Sequence, residues 1–367
     1  MYYFAKGLCF ASWASRIPDI KSNLDMSPAD LGTILFALPF GQLLIIPFSG
    51  KIVTRFGSHI VLFLATLFYG ICLTTLGFAT QSWQLAIGLV FFGITLNVTN
   101  IAVNTQGVYA EKLFKRTIMS SFHGMWSFAG FVGAMIGLLL VTFQFSPLQH
   151  FLCVLILMIL IIIFNYKYLI KVKESQPKIK APFFAKPDKS LLLLGLVGFC
   201  SMVSEGVMFD WSGVYFKDIV KAPTNLIIMG YASFMIMMAL GRFMGDAIIL
   251  KYGRKLVLQV SGFLISLGLF LAVFFPFLVS CTLAFMMVGI GVATVVPTLF
   301  SIAGKNPNLP PGESITIVSS VSFLGFLIGP PIIGYIAEVF GLRFSFAFIG
   351  LFGVLIFFLV QKIKLND

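Results

Sequence analysis

Residues 50–57 read Gly50-Lys51-Ile52-Val53-Thr54-Arg55-Phe56-Gly57, a short basic turn framed by two glycines between two long apolar runs. A degenerate copy in the second half reads Gly245-Asp246-Ala247-Ile248-Ile249-Leu250-Lys251-Tyr252-Gly253-Arg254-Lys255. When Gly57 is aligned with Gly253, the copies lie a little over half of the 367-residue chain apart. A basic turn that recurs once per half predicts two related helical bundles in a membrane.

The composition predicts that most of the protein surface faces lipid. Hydrophobic residues make up 59% of the sequence and charged residues only 10%, whereas soluble domains carry roughly 25% charged residues. The mean hydropathy of +1.02 agrees with this prediction. The formal net charge of +12 does not indicate nucleic-acid binding, because the lysines and arginines fall in short loops rather than on one soluble basic face.

The cysteines favour neither disulfides nor a metal site. They are scattered through apolar runs, odd in number and without metal-ligand spacing, so we expect packed small hydrophobic side chains. They are Cys9, Cys72, Cys153, Cys200 and Cys281. The first apolar run begins almost at Met1 and has no cleavable signal pattern. We expect this run to be the first spanning helix, with a clipped amino-terminal tail as an open alternative.

Twelve runs are long enough to cross a membrane, since a spanning helix needs about 20 mostly apolar residues. The only long polar stretch, residues 171–188, is rich in lysine and proline and predicts a linker. We therefore predict an all-α membrane protein with one six-helix bundle over 1–170 and another over 189–367. The predicted spans are about 2–19, 29–49, 59–79, 83–109, 118–142, 148–169, 190–215, 224–248, 256–275, 277–302, 314–337 and 343–361.

The loop cations predict the orientation of these spans. If the amino terminus is cytoplasmic, 18 lysines and arginines lie in inside segments and 4 in outside loops, as the positive-inside rule requires. We therefore expect both termini to be cytoplasmic.

Polar side chains recur at helical spacing in the first, fourth, seventh and tenth runs. Polar groups inside a bilayer are costly unless they are partnered or hydrated, so four such stripes predict a wet cavity. Single serines and threonines are about as often structural, bonding across a helix pair. The predicted cavity-lining residues are Ser12, Trp13, Arg16, Asn97, Asn100, Asn104, Gln106, Trp126, Ser204, Glu205, Met208, Thr294 and Thr298.

Glu205 lies deep in the seventh run, where a carboxylate that can be charged or neutral is a candidate proton carrier. The alternative is a structural carboxylate bonded to a neighbouring helix. His123, whose imidazole is the side-chain type that changes charge most readily near neutral pH, and Asp210 are further proton candidates. A gating or structural role for His123 is equally open, and for Asp210 an interfacial contact beside Trp211 is the favoured alternative. Arg16 either reaches outward or pairs with Asp19, with Asp210 or with an anionic substrate.

The two six-run halves, the central basic stretch and the glycine-framed turn together resemble the major facilitator superfamily. In that family the turn runs Gly-x-Leu-Ala-Asp-Arg-x-Gly-Arg-Lys. Over its two copies, this chain is similar at Gly50, Arg55, Gly57, Lys251, Gly253 and Arg254. Thr54 and Leu250 occupy the acidic position, so the ionic latch that the resemblance implies in this gating motif lacks its acidic residue in both copies.

Shorter stretches of the sequence are similar to those of a bacterial branch of the superfamily that is related to the fucose-permease type. In that branch, Asp often occupies the position of Asn100. These stretches are Trp13-Ala14-Ser15-Arg16-Ile17-Pro18, residues 100–107, His123-Gly124-Met125-Trp126-Ser127, Glu205-Gly206 and Asp210-Trp211-Ser212. The resemblance implies a secondary transporter that binds its substrate between two bundles and rocks one against the other. It also agrees with proton coupling, with Glu205 as the leading carrier.

The sequence leaves the direction of transport open. No Gly-x-x-x-x-Gly-Lys-Ser/Thr loop is present, so the proton gradient is the simplest energy source. The amide and hydroxyl stripes favour uptake of a small polar or sugar-like solute, whereas the 15 Met and 42 Phe offer an adaptable pocket for efflux of amphipathic compounds. A non-transporting membrane sensor or assembly protein is a third alternative. Paired catalytic carboxylates, metal-spaced ligands and nucleophile motifs are missing, so we expect no enzyme, no metal and no cofactor.

Overall fold

The computed structural model describes residues 1–114, 119–171, 189–303, 306 and 311–363. In these ranges the chain forms α-helices, two short 3-10 helices (Tyr166–Tyr168 and Thr224–Leu226) and no strand, which confirms the all-α prediction. All of the predicted linker except Lys171 lies outside the described residues. The α-helices are α1 (Tyr2–Asn23), α2 (Pro28–Leu35), α3 (Ala37–Phe56), α4 (Ser58–Gly77), α5 (Ser82–Phe114), α6 (Met119–Thr142), α7 (Pro147–Asn165), α8 (Lys189–Asp218), α9 (Met229–Tyr252), α10 (Arg254–Phe274), α11 (Leu278–Ala293), α12 (Val295–Ala303), α13 (Pro311–Phe340) and α14 (Leu342–Lys362).

Eleven helical stretches in the described part of the chain are long and apolar enough to cross a membrane. They correspond one to one with the second to the twelfth predicted runs. Helix α1 is not among them, because its 22 residues include Lys6, Arg16, Asp19 and Lys21. The side chains of Lys6 and Arg16 are nevertheless buried, so protein covers these two cations.

Two of the predicted runs are each divided into two helices. Helices α2 and α3 meet at Phe36, and helices α11 and α12 meet at Thr294. A proline, Pro39 or Pro297, follows three residues after each interruption. Proline lacks a backbone N–H, and its ring clashes with the carbonyl four residues earlier. Each proline therefore accounts for the break that precedes it.

The repeated basic turn forms two helix junctions of the same kind. Only Gly57 separates α3 from α4, and only Gly253 separates α9 from α10. Their φ angles are 82° and 76°, a region that glycine enters freely and other residues rarely adopt. Backbone geometry therefore explains both glycines, whatever role the turn has in gating.

Replacing either junction glycine with alanine is expected to destabilise the protein by about 1–2 kcal/mol, because a Cβ is strained at positive φ. Thermal unfolding of the purified variants measures this loss. Gly50→Ala is the matched control, since Gly50 is helical and an added Cβ there meets open space. At this helical position, alanine should also stabilise the helix by roughly 1 kcal/mol relative to glycine. If Gly57→Ala and Gly253→Ala are no less stable than Gly50→Ala, the geometric explanation is wrong.

The described residues divide into two compact units, Met1–Pro177 with Pro223–Ala232, and Lys178–Ala222 with Ser233–Asp367. In the first unit, α1 packs against α6 and α7, and α4 packs against α5 and α7. In the second, α8 packs against α13 and α14, and α10 against α11 and α14. Each unit thus has the same internal order of helix pairs. Pro223–Ala232 is grouped with the first unit, where its 3-10 helix contacts α6.

Helices α3 and α5 of the first unit approach each other closely at two glycines. A Cβ added at Gly41 would collide with the carbonyl oxygen of Val90, and one added at Gly93 would collide with that of Leu38. Small residues at such contacts are the usual means by which membrane helices pack closely. Because backbone fills the space next to both glycines, a side-chain movement cannot make room for a larger residue.

Candidate functional site

The first cluster of buried polar groups surrounds Lys6 of α1. Its ammonium group donates a hydrogen bond to Asn100 Oδ1 at 2.7 Å and lies 5.6 and 5.7 Å from the ring centroids of Tyr3 and Trp126. Asn104 Nδ2 donates to the same Asn100 oxygen at 3.3 Å. Lys6 is only 6% exposed, so an amide oxygen and two aromatic faces stabilise its charge within the bundle.

Tyr3 connects the Lys6 cluster to α6. Its hydroxyl donates to Asn104 Oδ1 at 2.6 Å. Its ring stacks on Phe122 with centroids 5.3 Å apart, and it meets the imidazole of His123 edge-on at 5.5 Å. Three helices of the first unit, α1, α5 and α6, therefore combine one cation, two amides, a phenol and flat apolar faces. This mixture of apolar walls and a few directed polar groups is typical of small-molecule sites.

Helical spacing explains how the cluster assembles from separate stretches of sequence. Tyr3 and Lys6 are three residues apart on α1, and Asn100 and Asn104 are four residues apart on α5, so each pair shares a helix face. Asn100, Asn104 and Trp126 keep partial exposure. The cluster is therefore not completely enclosed, and it includes four of the predicted site residues: Asn100, Asn104, His123 and Trp126.

The second cluster is an ion pair between α8 and α9. Arg242 Nη2 donates a hydrogen bond to Glu205 Oε1 at 3.1 Å, and Glu205 is 5% exposed. Both residues lie within apolar spans, Lys189–Asp218 and Thr224–Tyr252. An unpaired charge at such a place raises the free energy of the folded protein. Each residue of the pair lowers this cost for the other, because their charges are opposite. The structure thus brings Glu205 to a cation, Arg242, which the sequence did not indicate as its partner.

Two other predicted residues of α8 lie near Glu205 in sequence. Met208 is fully buried. Asp210 is partly buried, and it makes neither an ion pair nor a hydrogen bond with any residue in the described ranges.

Three predicted hydroxyl residues bond to their own helices. Ser12, Ser204 and Thr298 each donate to the carbonyl four residues earlier, at 2.8, 3.0 and 2.6 Å. Such bonds satisfy a hydroxyl locally and carry no information about a ligand. Thr294 Oγ1 lies 3.4 Å from Ser261 Oγ of α10, which joins two elements of the second unit.

Asn97 and Gln106 lie apart from the Lys6 cluster and connect other parts of the first unit. Asn97 Oδ1 accepts a hydrogen bond from Ser49 Oγ at 2.7 Å. Gln106 Nε2 donates to Ser58 Oγ at 2.9 Å and to the Ile170 carbonyl at 2.8 Å. Gln106 Oε1 accepts from the Ile170 N–H at 2.8 Å. These contacts join α5 to α3, to α4 and to the segment at Ile170.

Arg16 is anchored near the carboxyl end of α1. Its guanidinium lies 2.8 Å from Asp19 Oδ2, donates to His150 Nδ1 at 3.0 Å and donates to the Phe145 carbonyl at 2.9 Å. Among the partners that the sequence left open, the structure shows Asp19.

Trp13 is fully buried, and its Nε1 has no hydrogen-bond partner among the described residues.

The two basic turns contain no ion pair within the described ranges. Arg55 and Lys251 are exposed, and each lies over the aromatic ring that follows it in sequence, 5.5 and 5.1 Å from the centroid. Arg254 is the first residue of α10. Thr54, at the position where an acid is usual, donates its hydroxyl proton to the Gly50 carbonyl at 3.0 Å.

Three side chains that organise the clusters were not predicted: Tyr3, Lys6 and Arg242. Lys6 and Arg242 are cations inside apolar runs, and the cost of a charge in lipid was a usable signal for both. Most of the other cations lie in the predicted loops, where lysine and arginine indicate orientation rather than a site. Tyr3 carries no comparable signal, because tyrosine is common at many positions of membrane helices.

Comparison with known proteins identifies the family. A model of the Major Facilitator Superfamily matches residues 2–314. The chain belongs to the major facilitator superfamily. This superfamily member is 31% identical over 349 residues to an uncharacterized MFS-type transporter of Yersinia pestis, across 95% of this chain and 90% of that protein. It is 30% identical over 366 residues to the uncharacterized transporter y4wD of Sinorhizobium fredii, across 99% and 96% of the two chains.

The fold of the superfamily member is similar to that of solved transporters. A mutant of the nucleoside transporter NupG matches it with a TM-score of 0.81 over 99% of both chains, at 13% sequence identity. At this identity the likeness shows the fold alone. Together with the apolar spans, these matches make the chain a multi-pass membrane transporter and not an enzyme.

Proposed function

We propose that this MFS transporter couples the movement of a small polar solute to protons, in a bacterial inner membrane, by alternating access. The observation that carries the proposal is the buried ion pair between Glu205 and Arg242. A carboxylate and a guanidinium are rarely retained inside apolar helices without a functional reason.

In this proposal a proton and Arg242 compete for the Glu205 carboxylate. A proton on Glu205 removes the negative charge that holds the Arg242 guanidinium, so the pair can open without leaving an anion in the apolar span. Loss of the proton favours the pair again, because separated charges are costly there. Proton occupancy is thereby linked to the arrangement of α8 and α9. Asp210 on α8 and His123 beside Tyr3 are the further candidate carriers.

The Lys6 cluster supports a polar, sugar-like solute and, with it, uptake. The ammonium group, the amides of Asn100 and Asn104, and the Tyr3 hydroxyl can donate to and accept from hydroxyl groups. The Trp126 ring offers an apolar face.

The second candidate function is efflux of amphipathic compounds. It is favoured by the aromatic contacts of Phe209 in the second unit, whose ring centroid lies 5.5 Å from that of Phe234 and 6.0 Å from that of Phe326.

We further propose twelve spans in two six-helix bundles, over 1–170 and 189–367, joined by the linker 171–188 in a monomer with cytoplasmic termini. The excess of basic loop residues on one side supports this orientation. The buried state of Lys6 and Arg16 supports α1 as the first span. Membership of the branch related to the fucose-permease type rests on the phrases shared with it, such as His123-Gly124-Met125-Trp126-Ser127.

Glu205→Gln is expected to abolish proton-driven accumulation of the solute while exchange of solute across the membrane persists in the protein that folds, because glutamine keeps the shape of the side chain but carries no titrating proton. The variant also leaves Arg242 without its carboxylate, so the yield of folded protein is measured first and transport is scaled to it. A thermal-shift screen of the purified protein first identifies a solute, since binding to the folded state raises apparent stability. Proteoliposomes with an imposed pH gradient then measure accumulation, and solute on both sides without a gradient measures exchange. Glu338→Gln, which alters an exposed glutamate of the same unit, is the matched control.

The outcomes of this experiment separate the proposals. Unchanged gradient-driven transport by Glu205→Gln contradicts the coupling role. The direction of the pH gradient that drives accumulation distinguishes uptake from efflux. If the wild-type protein binds the solute tightly but moves none, the chain is a non-transporting sensor or assembly protein on the same fold.

A further inference from the structure

An apolar groove of about 320 Å³ lies in the second unit, between α9, α10 and α11. Its walls include Ile248 of α9, Leu256, Val260 and Leu264 of α10, and Ile290 of α11. Val260 is 44% exposed and Ile290 is 36% exposed, so the groove opens to the surroundings of the bundle. Its size lies at the small end of the range of roughly 300–1,000 Å³ typical of small-molecule sites.

The polar atoms in the wall of the groove are engaged with each other. Ser261 and Thr294 line it, and their hydroxyl oxygens are 3.4 Å apart. The wall therefore presents few free hydrogen-bonding groups to an occupant. A hydrocarbon chain suits such a lining better than a polar solute, because a polar solute would lose its hydrogen bonds to water.

Basic and aromatic side chains mark one end of the groove. Tyr252, the last residue of α9, lines it and is 53% exposed. The Lys251 ammonium lies over the Tyr252 ring at 5.1 Å. Arg254 precedes the lining residues Val257 and Ser261 by three and seven positions, which places it on the groove side of α10. Neither cation forms an ion pair with a described acidic residue, so both can attract a negative charge.

We propose that the groove binds one acyl chain of an anionic phospholipid, whose phosphate lies against Lys251 and Arg254. The apolar wall matches the hydrocarbon chain, and the two cations match the net negative charge of the headgroup. Tyrosine at this level is typical of the boundary between lipid tails and headgroups. A zwitterionic lipid fits the wall equally well but gains less from the cations.

A lipid in the groove would lie next to α9, the helix that carries Arg242 of the ion pair with Glu205. Gly241, which also lines the groove, directly precedes Arg242 on α9. A lipid chain that fills the space between α9 and α10 would stabilise the position of α9 observed in the structure. This proposal does not depend on proton coupling or on the direction of transport.

Native mass spectrometry of the purified transporter tests the charged end of the site. The protein is titrated with dioleoyl phosphatidylglycerol and, separately, with dioleoyl phosphatidylcholine. The double variant Lys251→Gln/Arg254→Gln should bind phosphatidylglycerol roughly 30-fold more weakly, since each basic residue near an anionic lipid contributes about 1 kcal/mol. Its affinity for phosphatidylcholine should hardly change. The double variant Lys217→Gln/Lys221→Gln removes the same charge at the carboxyl end of α8 and in the segment that follows it, and it should bind as the wild type does.

A second pair of variants tests the groove itself. Val260→Trp places a large ring in the groove and should remove the tight phosphatidylglycerol adduct. Val279→Trp makes the same exchange at a residue of α11 that is 71% exposed and lies outside the groove lining, and it should keep the adduct. Thermal unfolding confirms that each variant is folded.

Three results would overturn the proposal. The first is equal affinity of the wild type for the two lipids. The second is phosphatidylglycerol binding that survives both Lys251→Gln/Arg254→Gln and Val260→Trp. The third is a groove that takes up an uncharged amphipathic compound in preference to phosphatidylglycerol. Transport activity has no part in these measurements, so they stand or fall separately from the proposed function.

Discussion

Arg242→Gln is expected to destabilise the transporter by about 3–5 kcal/mol, the usual loss when one partner of a buried ion pair is removed. The variant leaves the Glu205 carboxylate in an apolar span without the guanidinium that lies 3.1 Å away in the structure. Thermal unfolding of purified protein, together with the yield of folded protein, measures the loss. The effect should be large because no second cation among the described residues pairs with Glu205.

The double variant Glu205→Gln/Arg242→Gln distinguishes an unpaired charge from a general disturbance of packing. It should recover most of the stability, because replacing both charges removes their desolvation cost along with their attraction. Arg343→Gln is the control, since Arg343 is exposed and donates to the Val273 carbonyl; its loss should stay below about 1 kcal/mol. A double variant as unstable as Arg242→Gln alone would contradict this account of the pair.

Gly93→Ala is expected to destabilise the first unit by about 3 kcal/mol, the upper end of the range for overpacking. An added Cβ at Gly93 meets the carbonyl oxygen of Leu38. Relief of that collision requires α3 and α5 to move apart as whole helices. Thermal unfolding again provides the measurement.

Gly70→Ala is the matched control for this close approach. At Gly70 the nearest atoms belong to the side-chain ends of Leu155 and Met158, at 2.9 and 3.2 Å. These ends can change rotamer, and alanine favours the helix by roughly 1 kcal/mol relative to glycine. Its net effect should therefore be small. Equal losses at Gly70 and Gly93 would show that backbone contact is not the deciding factor.

The helices were largely predictable because bilayer thickness imposes a minimum length on every span. Each predicted run after the first has an apolar helical stretch in the structure. The interruptions at Phe36 and Thr294 were missed, although a proline follows each of them. Proline alone does not settle the matter, since Pro47 and Pro330 lie inside continuous helices. Neighbouring helices decide whether the backbone groups that proline frees are satisfied.

The candidate site was less predictable than the fold. Spacing along one helix shows which side chains share a face, but it does not show which face meets another helix. Asn100 therefore reaches Lys6 and Asn104 reaches Tyr3, while Ser12 and Ser204 bond to their own helices at the same kind of spacing. Glu205 could be singled out from its depth in an apolar run. Its pairing with Arg242 depends on the packing of α8 beside α9, which the sequence does not show.

The charges of α1 also have a consequence for biogenesis. Lys6 bonds to Asn100, 94 residues later, and Arg16 bonds to His150, 134 residues later. At ~5–20 residues per second, the ribosome needs roughly 5–20 s to make the first of these partners. A lysine or arginine within a helix disfavours release from the translocon into lipid, by at most about 2.5–3.5 kcal/mol at the helix centre. With α1 as the proposed first span, its stable membrane integration therefore depends on helices that are synthesised after it.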